Sequence, residues 1–212
     1  MPESTLLHRI SQKNSNKEKI AKRVIKSPEL IPELFRGIGN PKASIKFGCA
    51  KILRILSEQH PTALYSHMGF FMDLLDSDNK ILLWDGISII GNLAKVDKDK
   101  KIDVILDRYL SPIPGPVMIT AANVIGGAAK IALAKPYLSG IITTAILQVE
   151  QAKYQTTECR NVALGHAITS LDLFYEHIED KKTVIDFIRR QLNNTRNSTV
   201  KKAEMFLQKR GC

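Results

Sequence analysis

Few residues in this sequence have the types and the spacing that catalysis or metal binding requires. The segment from Asp97 to Asp103 places acids at the first, third and seventh positions of a calcium-type loop. However, Ile102 stands where such a loop needs glycine, and Arg108 stands where it needs a bidentate glutamate. We therefore interpret this segment as a turn between helices. The five histidines show no metal-ligand spacing with one another or with the cysteines, so we expect neither a metal nor a cofactor.

Two glycine motifs lack the features of phosphate-binding loops. Gly37-Ile38-Gly39 begins like a dinucleotide fingerprint, but the third glycine is missing and no strand pattern precedes it. Gly126 and Gly127 lie inside an apolar helical segment, and no Lys-Ser or Lys-Thr pair follows them. The first motif predicts a helix end with a turn, and the second predicts close packing between helices.

Single side chains that could be reactive favour structural interpretations. Cys49 stands at a small-residue position of a predicted helix, which favours a core side chain over a reactive thiol. We expect His166 to be partly buried and hydrogen-bonded, with a groove-facing position as the alternative. Cys49, Cys159 and Cys212 are too scattered for a disulfide framework or a zinc site, which favours a reduced, cytoplasmic compartment.

The composition is that of a globular protein whose core comes from aliphatic side chains. The 212 residues are 44% hydrophobic and 25% charged, while aromatic residues supply only 6%. The longest apolar segment, residues 117–133, contains Thr120, Asn123 and Lys130, so we predict no membrane span. The N-terminus has no basic segment followed by an apolar run, so we expect no secretory signal.

The net charge of +10 is concentrated at the two ends of the chain. Residues 1–60 carry 12 Lys and Arg against 5 Asp and Glu, residues 61–150 carry 8 against 9, and residues 151–212 carry 11 against 7. Such a surplus steers acidic partners or nucleic acid toward a protein without specifying its fold.

An internal repeat is the most informative feature of the sequence. Each repeat has a helix-length apolar segment, a short polar turn, and a second helix with small residues in its middle. The predicted pairs are residues 28–38 with 42–58, 61–75 with 80–95, 101–110 with 117–134, 136–152 with 158–178, and 182–192 with 199–209. Ahead of them, residues 5–26 predict a polar capping helix, because Ile20, Val24 and Ile25 supply only a thin apolar stripe.

The second helices share a template: an apolar residue, a small residue four positions later, and apolar residues eight and eleven positions later. Positions with this spacing lie along one helix face, and the small residue lets a neighbouring helix approach closely. Because one hairpin cannot bury its apolar face alone, successive hairpins must stack. The template is fitted by Ile45, Cys49, Leu53 and Leu56, by Leu82, Gly86, Ile90 and Leu93, by Val117, Ala121, Ile125 and Ala128, and loosely by Cys159, Ala163, Ala167 and Ser170.

This pattern resembles the HEAT-repeat family, within the armadillo-like superhelix group. The resemblance is carried by the turn from Leu74 to Asn79, the run from Gly86 to Leu93, and the apolar-then-basic helix starts Ile45-Lys46 and Cys159-Arg160. The corresponding starts Leu82-Leu83 and Val117-Met118 have no basic residue, so the family's ladder of buried turn charges is incomplete.

The resemblance covers residues 28–210 and implies an all-α fold. In this fold, about five hairpins stack into a right-handed α-α superhelix. We expect residues 28–212 to form this single solenoid and residues 1–27 to form its N-terminal capping helix. An ordinary helical bundle without superhelical order is the alternative.

The lack of a catalytic set and the resemblance together predict a non-enzymatic scaffold or adaptor. Its partner would be a macromolecule, most simply a protein, bound on the concave face that second helices line in the family. The candidate partner contacts are Lys42, Lys46, Lys51, Arg54, Arg160, Lys201 and Lys202. We predict no small-molecule substrate.

Two alternative functions use other features of the sequence. In the first, the basic ends follow the backbone of a nucleic-acid duplex, and the cations between Arg189 and Arg210 supply a second contact. The second rests on the adjacent Trp84 and Asp85. HEAT-like DNA glycosylases that remove alkylated purines combine an aromatic cleft with a carboxylate, and this pair resembles that combination.

Overall fold

Helices account for all the regular secondary structure in residues 5–211, the range that the structure, a computed structural model, describes. Thirteen α-helices in this range are joined by turns and short 3₁₀ segments. The prediction of an all-α fold is confirmed, while the superhelix and its repeat count stay predictions. Residues 1–4 of the predicted capping segment, and Cys212, lie outside the described residues. Within residues 5–211, no helix has both the length and the apolar character needed to cross a membrane.

The chain divides into two compact units, one up to Lys98 and the other from Asp99 onward, which we call unit 1 and unit 2. The helices of unit 1 are α1 Thr5–Ser11, α2 Lys17–Lys26, α3 Ile31–Ile38, α4 Ala43–Gln59, α5 Thr62–Tyr65, α6 Met68–Asp73 and α7 Lys80–Leu93. Those of unit 2 are α8 Lys101–Leu110, α9 Met118–Ala134, α10 Ser139–Leu147, α11 Thr157–Leu173, α12 Lys181–Arg190 and α13 Asn197–Arg210. The division falls in the turn before α8, within the segment that we interpreted as a turn. A single solenoid over residues 28–212 stays a prediction.

Helix α4 lies at the centre of unit 1. It contacts α1, α2, α3, α5 and α7. Its inward side chains Ile45, Ile52 and Leu53 are buried, as is Ile90 of α7. Burying an aliphatic side chain of this size contributes roughly 1.5–3 kcal/mol before the loss of conformational entropy is counted. The apolar side of α4 therefore organises this unit, as the template predicts.

The predicted capping segment forms two helices rather than one. Both α1 and α2 pack on α4, and α1 buries Leu6 and Ile10. The chain starts a new helix at Asn16, whose side-chain oxygen accepts a hydrogen bond from the Lys19 amide at 2.9 Å. The apolar stripe is wider than predicted because α1 contributes to it. The prediction of a single polar capping helix is therefore wrong.

The predicted first helix of the second pair, residues 61–75, is interrupted. It forms the short helices α5 and α6, with Ser66 and His67 between them. Serine, histidine and the following Gly69 have low helix propensity, which weakens a continuous helix at this point. Both pieces still pack on α7, so the hairpin arrangement survives the break.

Helix α11 has the central position in unit 2, where it contacts α9 and α13. Two side chains of α13 donate hydrogen bonds to its backbone. The Thr199 hydroxyl donates to the Asn161 carbonyl at 2.8 Å, and the Lys202 ammonium donates to the Gly165 carbonyl at 3.0 Å. A Cβ at Gly165 would lie 3.0 Å from the Thr199 hydroxyl, so glycine allows α13 to approach this closely.

A buried ion pair joins the start of α8 to the end of α9. The Lys135 ammonium donates to Asp103 Oδ1 at 2.7 Å, and the Tyr137 hydroxyl donates to Asp103 Oδ2 at 2.8 Å. Burial alone would raise the pKa of Asp103, but the hydrogen bonds from Lys135 and Tyr137 and the charge of Lys135 outweigh it and lower the pKa. The pair therefore fixes one end of unit 2 electrostatically.

Candidate protein-interaction face

One side of the second helices in unit 2 is not covered by other helices of that unit. Their other sides contact first helices: α9 contacts α8 and α10, α11 contacts α10, and α13 contacts α12. The uncovered residues recur at steps of three or four, so each helix presents one continuous side. We call this surface the unit-2 face, and it consists of Ile119, Ala122, Gly126, Lys130 and Leu133 of α9, Val162, His166, Thr169 and Leu173 of α11, and Lys202, Met205 and Lys209 of α13.

Large apolar side chains are exposed along the unit-2 face. The exposed fraction is 68% for Met205, 56% for Leu173, 48% for Ile119 and 44% for Leu133. A single exposed aliphatic side chain is ordinary on a protein surface, whereas several on adjacent helices are typical of an interaction site. These four residues are therefore the candidate anchors for a partner.

Two depressions connect the three helices of the unit-2 face. Ile119 and Cys159 help to line a depression of about 270 Å³ between the starts of α9 and α11. Thr169 and Met205 help to line a groove of about 280 Å³ between α11 and α13. The exposed sides of the three helices thus adjoin one another within unit 2.

The exposed side of α9 carries small residues in its middle. Ala122 and Gly126 stand between the exposed Ile119 and Leu133. A Cβ added at Gly126 would meet no atom within 4 Å among the described residues. Close helix packing therefore does not explain Gly126, contrary to our interpretation of the Gly126-Gly127 pair. The space above it is open to a side chain from another molecule.

His166 lies on the unit-2 face with its ring partly buried, as predicted, but the predicted hydrogen bond is absent within residues 5–211. The side chain is exposed on one side. Neighbouring atoms desolvate the rest of the ring, and this desolvation, together with the charge of Lys202, lowers the pKa of His166. The hydrogen bond is missing because no helix of unit 2 covers this side of α11.

Most cations near the end of unit 2 are paired with carboxylates of the same unit. The pairs are Arg189 with Asp186, Arg190 with Glu150, Arg196 with Glu158, Lys209 with Asp172, and Arg210 with Asp172 and Glu176. Burial alone would raise the pKa of Asp172, but the hydrogen bonds from Lys209 and Arg210 outweigh it and lower the pKa. These pairs reduce the charge available for the second nucleic-acid contact that we considered.

The three predicted contacts in unit 2 have different positions. Lys202 lies on the unit-2 face, and the exposed Lys201 lies at its margin. Arg160 points elsewhere, because the two-residue step to Val162 separates them by about 160° around α11. None of the three cations has a carboxylate partner within residues 5–211.

The four predicted contacts in unit 1 do not share one side of α4. The step from Lys46 to Lys51 corresponds to about 140° around the helix, so Lys42 and Lys46 lie apart from Lys51 and Arg54. Arg54 Nη1 lies 3.6 Å from Asp85 Oδ1. The three lysines have no carboxylate partner in the described part of the chain.

Asp85 is buried where α7 contacts α4. Burial raises the pKa of Asp85, and the charge of Arg54 opposes that effect without cancelling it. Rings cluster in this unit between α3 and α6, where the centroid of Phe35 lies 4.7 Å from those of Phe70 and His67. The position of Asp85 is typical of an ion pair between neighbouring helices, and the glycosylase alternative stays a hypothesis.

Cys49 is a core residue, as predicted. It is fully buried, and burial raises the pKa of its thiol to about 12, so the thiol stays protonated at neutral pH. Within residues 5–211, no group of three or more His, Cys, Asp or Glu side chains is arranged to hold a metal ion.

Compared with known proteins, the chain matches no protein-family model and no curated protein sequence. Membership of the HEAT-repeat family therefore stays a prediction.

Sequence reasoning missed the exposed apolar anchors of unit 2. The signal is present in α9, which carries apolar residues on all sides, including Ile119 and Leu133 opposite the buried Val124 and Ala128. A helix that is apolar all round is either enclosed or has a second apolar partner. The template concerns only one side of each helix, so it does not distinguish these two cases.

Proposed function

We propose that this chain is a non-enzymatic helical scaffold that binds a protein partner through the unit-2 face. The observation that carries the proposal is the gathering of exposed Ile119, Leu133, Leu173 and Met205 on one side of three adjacent helices. Removing apolar surface from water is worth about 25 cal/mol per Å², and it drives most protein association. An apolar face of this kind therefore favours a protein partner.

The packing beneath the unit-2 face supports a binding function. Ala128 of α9 and Ala163 and Leu171 of α11 are fully buried behind it. The hydrogen bonds from Thr199 and Lys202 fix α13 against α11. A preformed surface loses little conformational entropy on binding, so more of the contact energy appears as affinity. The resemblance to HEAT repeats, whose second helices bind partners, agrees with this proposal.

Site-specific photo-crosslinking tests the proposal. One variant carries p-benzoylphenylalanine at Gly126, where the open space accepts the side chain. The matched control carries it at Val104, which is 85% exposed on α8 and lies outside the unit-2 face. We expect discrete protein adducts in native lysate from position 126 and none of the same adducts from position 104.

Substitutions on the unit-2 face distinguish specific binding of a partner from non-specific crosslinking. Met205→Glu and Leu173→Glu each replace an apolar anchor with a charge, and we expect each to reduce the position-126 adducts at least tenfold. Val104→Glu should leave them unchanged. Equal adducts from both positions, or adducts that survive both anchor substitutions in a folded protein, would overturn the proposal.

A second candidate function is duplex nucleic-acid binding by unit 1. The observation that favours it is the pair of cations Lys42 and Lys46 at the start of α4, which share one side and have no carboxylate partner within residues 5–211. If both lysines neutralise phosphates, the logarithm of the binding constant should fall against the logarithm of salt concentration with a slope of about −2.

Titration of duplex DNA and duplex RNA at several salt concentrations measures that slope. The double variant K42Q/K46Q should flatten it toward zero, while Lys182→Gln, an exposed lysine of unit 2, should not. The absence of binding even at low salt would exclude this candidate.

A further inference from the structure

The charges around the unit-2 face are not balanced within the described chain. The carboxylate on its border, Asp172, is already paired with Lys209 at 2.7 Å. Lys201 and Lys202 have no carboxylate partner within residues 5–211. Glu204 is exposed and lies about 160° from Lys202 and about 60° from Lys201 around α13, but it forms no ion pair with either lysine. The apolar anchors are therefore bordered by unpaired positive charge.

Lys202 is held in a position to receive an anion. Its ammonium donates one hydrogen bond to the Gly165 carbonyl, and an ammonium has three donors. The same side chain lines the groove between α11 and α13, together with Met205 and Phe206. A cation fixed at the wall of an apolar groove can bind a carboxylate while the groove holds the adjoining apolar side chain.

We infer that the partner presents an acidic amphipathic helix to the unit-2 face, an inference that rests on the proposed function. An apolar side chain of this helix occupies the groove beside Met205, and others cover Leu173 and Leu133, which both lie at the ends of their helices. Its carboxylates pair with Lys201 and Lys202. Amphipathic helices bind grooves in this way through apolar residues at positions i, i+3, i+4 and i+7.

The size of the face suits a helix of moderate length. From α9 across α11 to α13 there are two helix-to-helix steps of about 8–10 Å each, or about 20 Å in total. A helix rises 1.5 Å per residue, so about 13 residues span this distance. Apolar residues in such a segment match the three anchors Leu133, Leu173 and Met205, while Ile119 lies at the far end of α9.

Other occupants fit the charges and the apolar area less well. A basic helix would meet Lys201 and Lys202 with like charge. A second copy of this chain would bring the same unpaired lysines, and its border carboxylate Asp172 is already paired with Lys209 and Arg210. A nucleic-acid backbone would satisfy the lysines, but it would leave the aliphatic anchors Ile119 and Leu133 without apolar contact.

Selection from a displayed peptide library tests the inference on the full-length chain. The library consists of 14-residue helices with four apolar positions at helical spacing and with Glu, Lys, Gln or Ala at each remaining position. We expect the selected peptides to be enriched in Glu over Lys and to compete with the position-126 crosslinks. A selected peptide is then synthesised, together with a control in which every Glu is Gln.

Charge substitutions locate the contact. Lys201→Glu should weaken the selected peptide at least tenfold, while the matched exposed Lys182→Glu on α12 should not change its affinity. Lys202→Gln should weaken it as well. Because Lys202 also donates a hydrogen bond from α13 to α11, the melting temperature of the Lys202→Gln variant is measured as well. Lys201 has no such structural hydrogen bond, so Lys201→Glu tests the charge alone.

Each outcome has a distinct meaning. Enrichment of neutral or basic peptides on the same face would overturn the inference while leaving the proposed function intact. An absence of enrichment combined with position-126 adducts would also overturn the inference alone. Self-association of the chain that Met205→Glu abolishes would identify a second copy as the occupant and overturn it. The absence of both peptides and adducts would overturn the inference together with the proposed function.

Discussion

Unit 1 and unit 2 are built from similar helical pairs, but their second helices present different surfaces. The uncovered side of α4 in unit 1 carries Lys51 and Arg54. The uncovered side of α11 in unit 2 carries Val162 and Leu173. Helix α4 buries all four of its template residues, and α11 buries Ala163, Ala167 and Ser170 but leaves Cys159 partly exposed. The template residues of a second helix therefore form the core of its unit. The residues on the opposite side of the helix do not contribute to the core, so they can form either a charged or an apolar binding surface.

The two units also differ in how they use ion pairs. In unit 1, Arg54 and Asp85 are 3.6 Å apart, the arginine side chain is 44% exposed, and the carboxylate is buried. In unit 2, Lys135 and Asp103 are 2.7 Å apart, and the lysine is buried. Solvent screens a cation as exposed as Arg54, whereas a buried cation such as Lys135 depends more strongly on the carboxylate beside it. The same substitution should therefore have unequal effects in the two units.

The largest effect is expected from Asp103→Asn. This change removes the carboxylate that the buried Lys135 ammonium contacts at 2.7 Å, and we expect a loss of about 2–4 kcal/mol in the free energy of unfolding. The matched Asp85→Asn removes a carboxylate whose burial is already unfavourable, so its effect should stay within about 1 kcal/mol. Urea denaturation of both variants provides the measurement. Equal losses would contradict the contrast between the two ion pairs.

A second contrast comes from two glycines in second helices. A Cβ at Gly86 in unit 1 would lie 2.8 Å from the Cβ of Leu74, so Gly86→Ala should destabilise the protein by about 1–3 kcal/mol. Gly126 in unit 2 faces open space, and Gly126→Ala should instead stabilise the protein by about 0.5–1 kcal/mol, since alanine favours the helix. Thermal unfolding measures both. A loss of stability in the Gly126→Ala variant would contradict the open space beside Gly126.

The fold was more predictable from the sequence than the site, for a physical reason. Buried positions repeat with the helical period, so residues such as Ile45, Gly86 and Ile125 reveal the second helices and their inward sides. The outward sides carry no such period. A hydrophobicity pattern does not distinguish Leu173 and Met205 from core residues. Their exposure in the structure identifies them as candidate anchors.

Positions of charged residues were the least predictable feature. Arg160 and Lys202 are both basic residues of second helices, yet only Lys202 lies on the unit-2 face. Arg210 pairs with Asp172, which lies 38 positions earlier in the sequence, and no local sequence pattern predicts this pair. Likewise, the start of α2 depends on the cap at Asn16, a local hydrogen bond that composition alone did not reveal. Tertiary contacts decide which charges remain available to a partner.

The smallest predicted effect is a difference in acid sensitivity between the two units. The folded-state pKa of Asp103 is lowered, so its stabilisation is complete above the unfolded value of about 3.9 and is lost as the pH falls through the folded pKa. The pKa of Asp85 is raised, so protonation on acidification relieves a penalty in unit 1. Below about pH 4, unit 2 should therefore weaken before unit 1 does.

The distribution of aromatic residues allows this difference to be measured in the intact chain. The single tryptophan, Trp84, belongs to unit 1, whereas four of the five tyrosines belong to unit 2. During acid titration, the near-ultraviolet circular dichroism of the tyrosines should change at a higher pH than the fluorescence of Trp84. Asp103→Asn should narrow the gap, because it removes the carboxylate whose protonation weakens unit 2. If the Trp84 signal changed first, the assignment of acid sensitivity to the Asp103 pair would be wrong, and unit 1 would be the less stable unit at low pH.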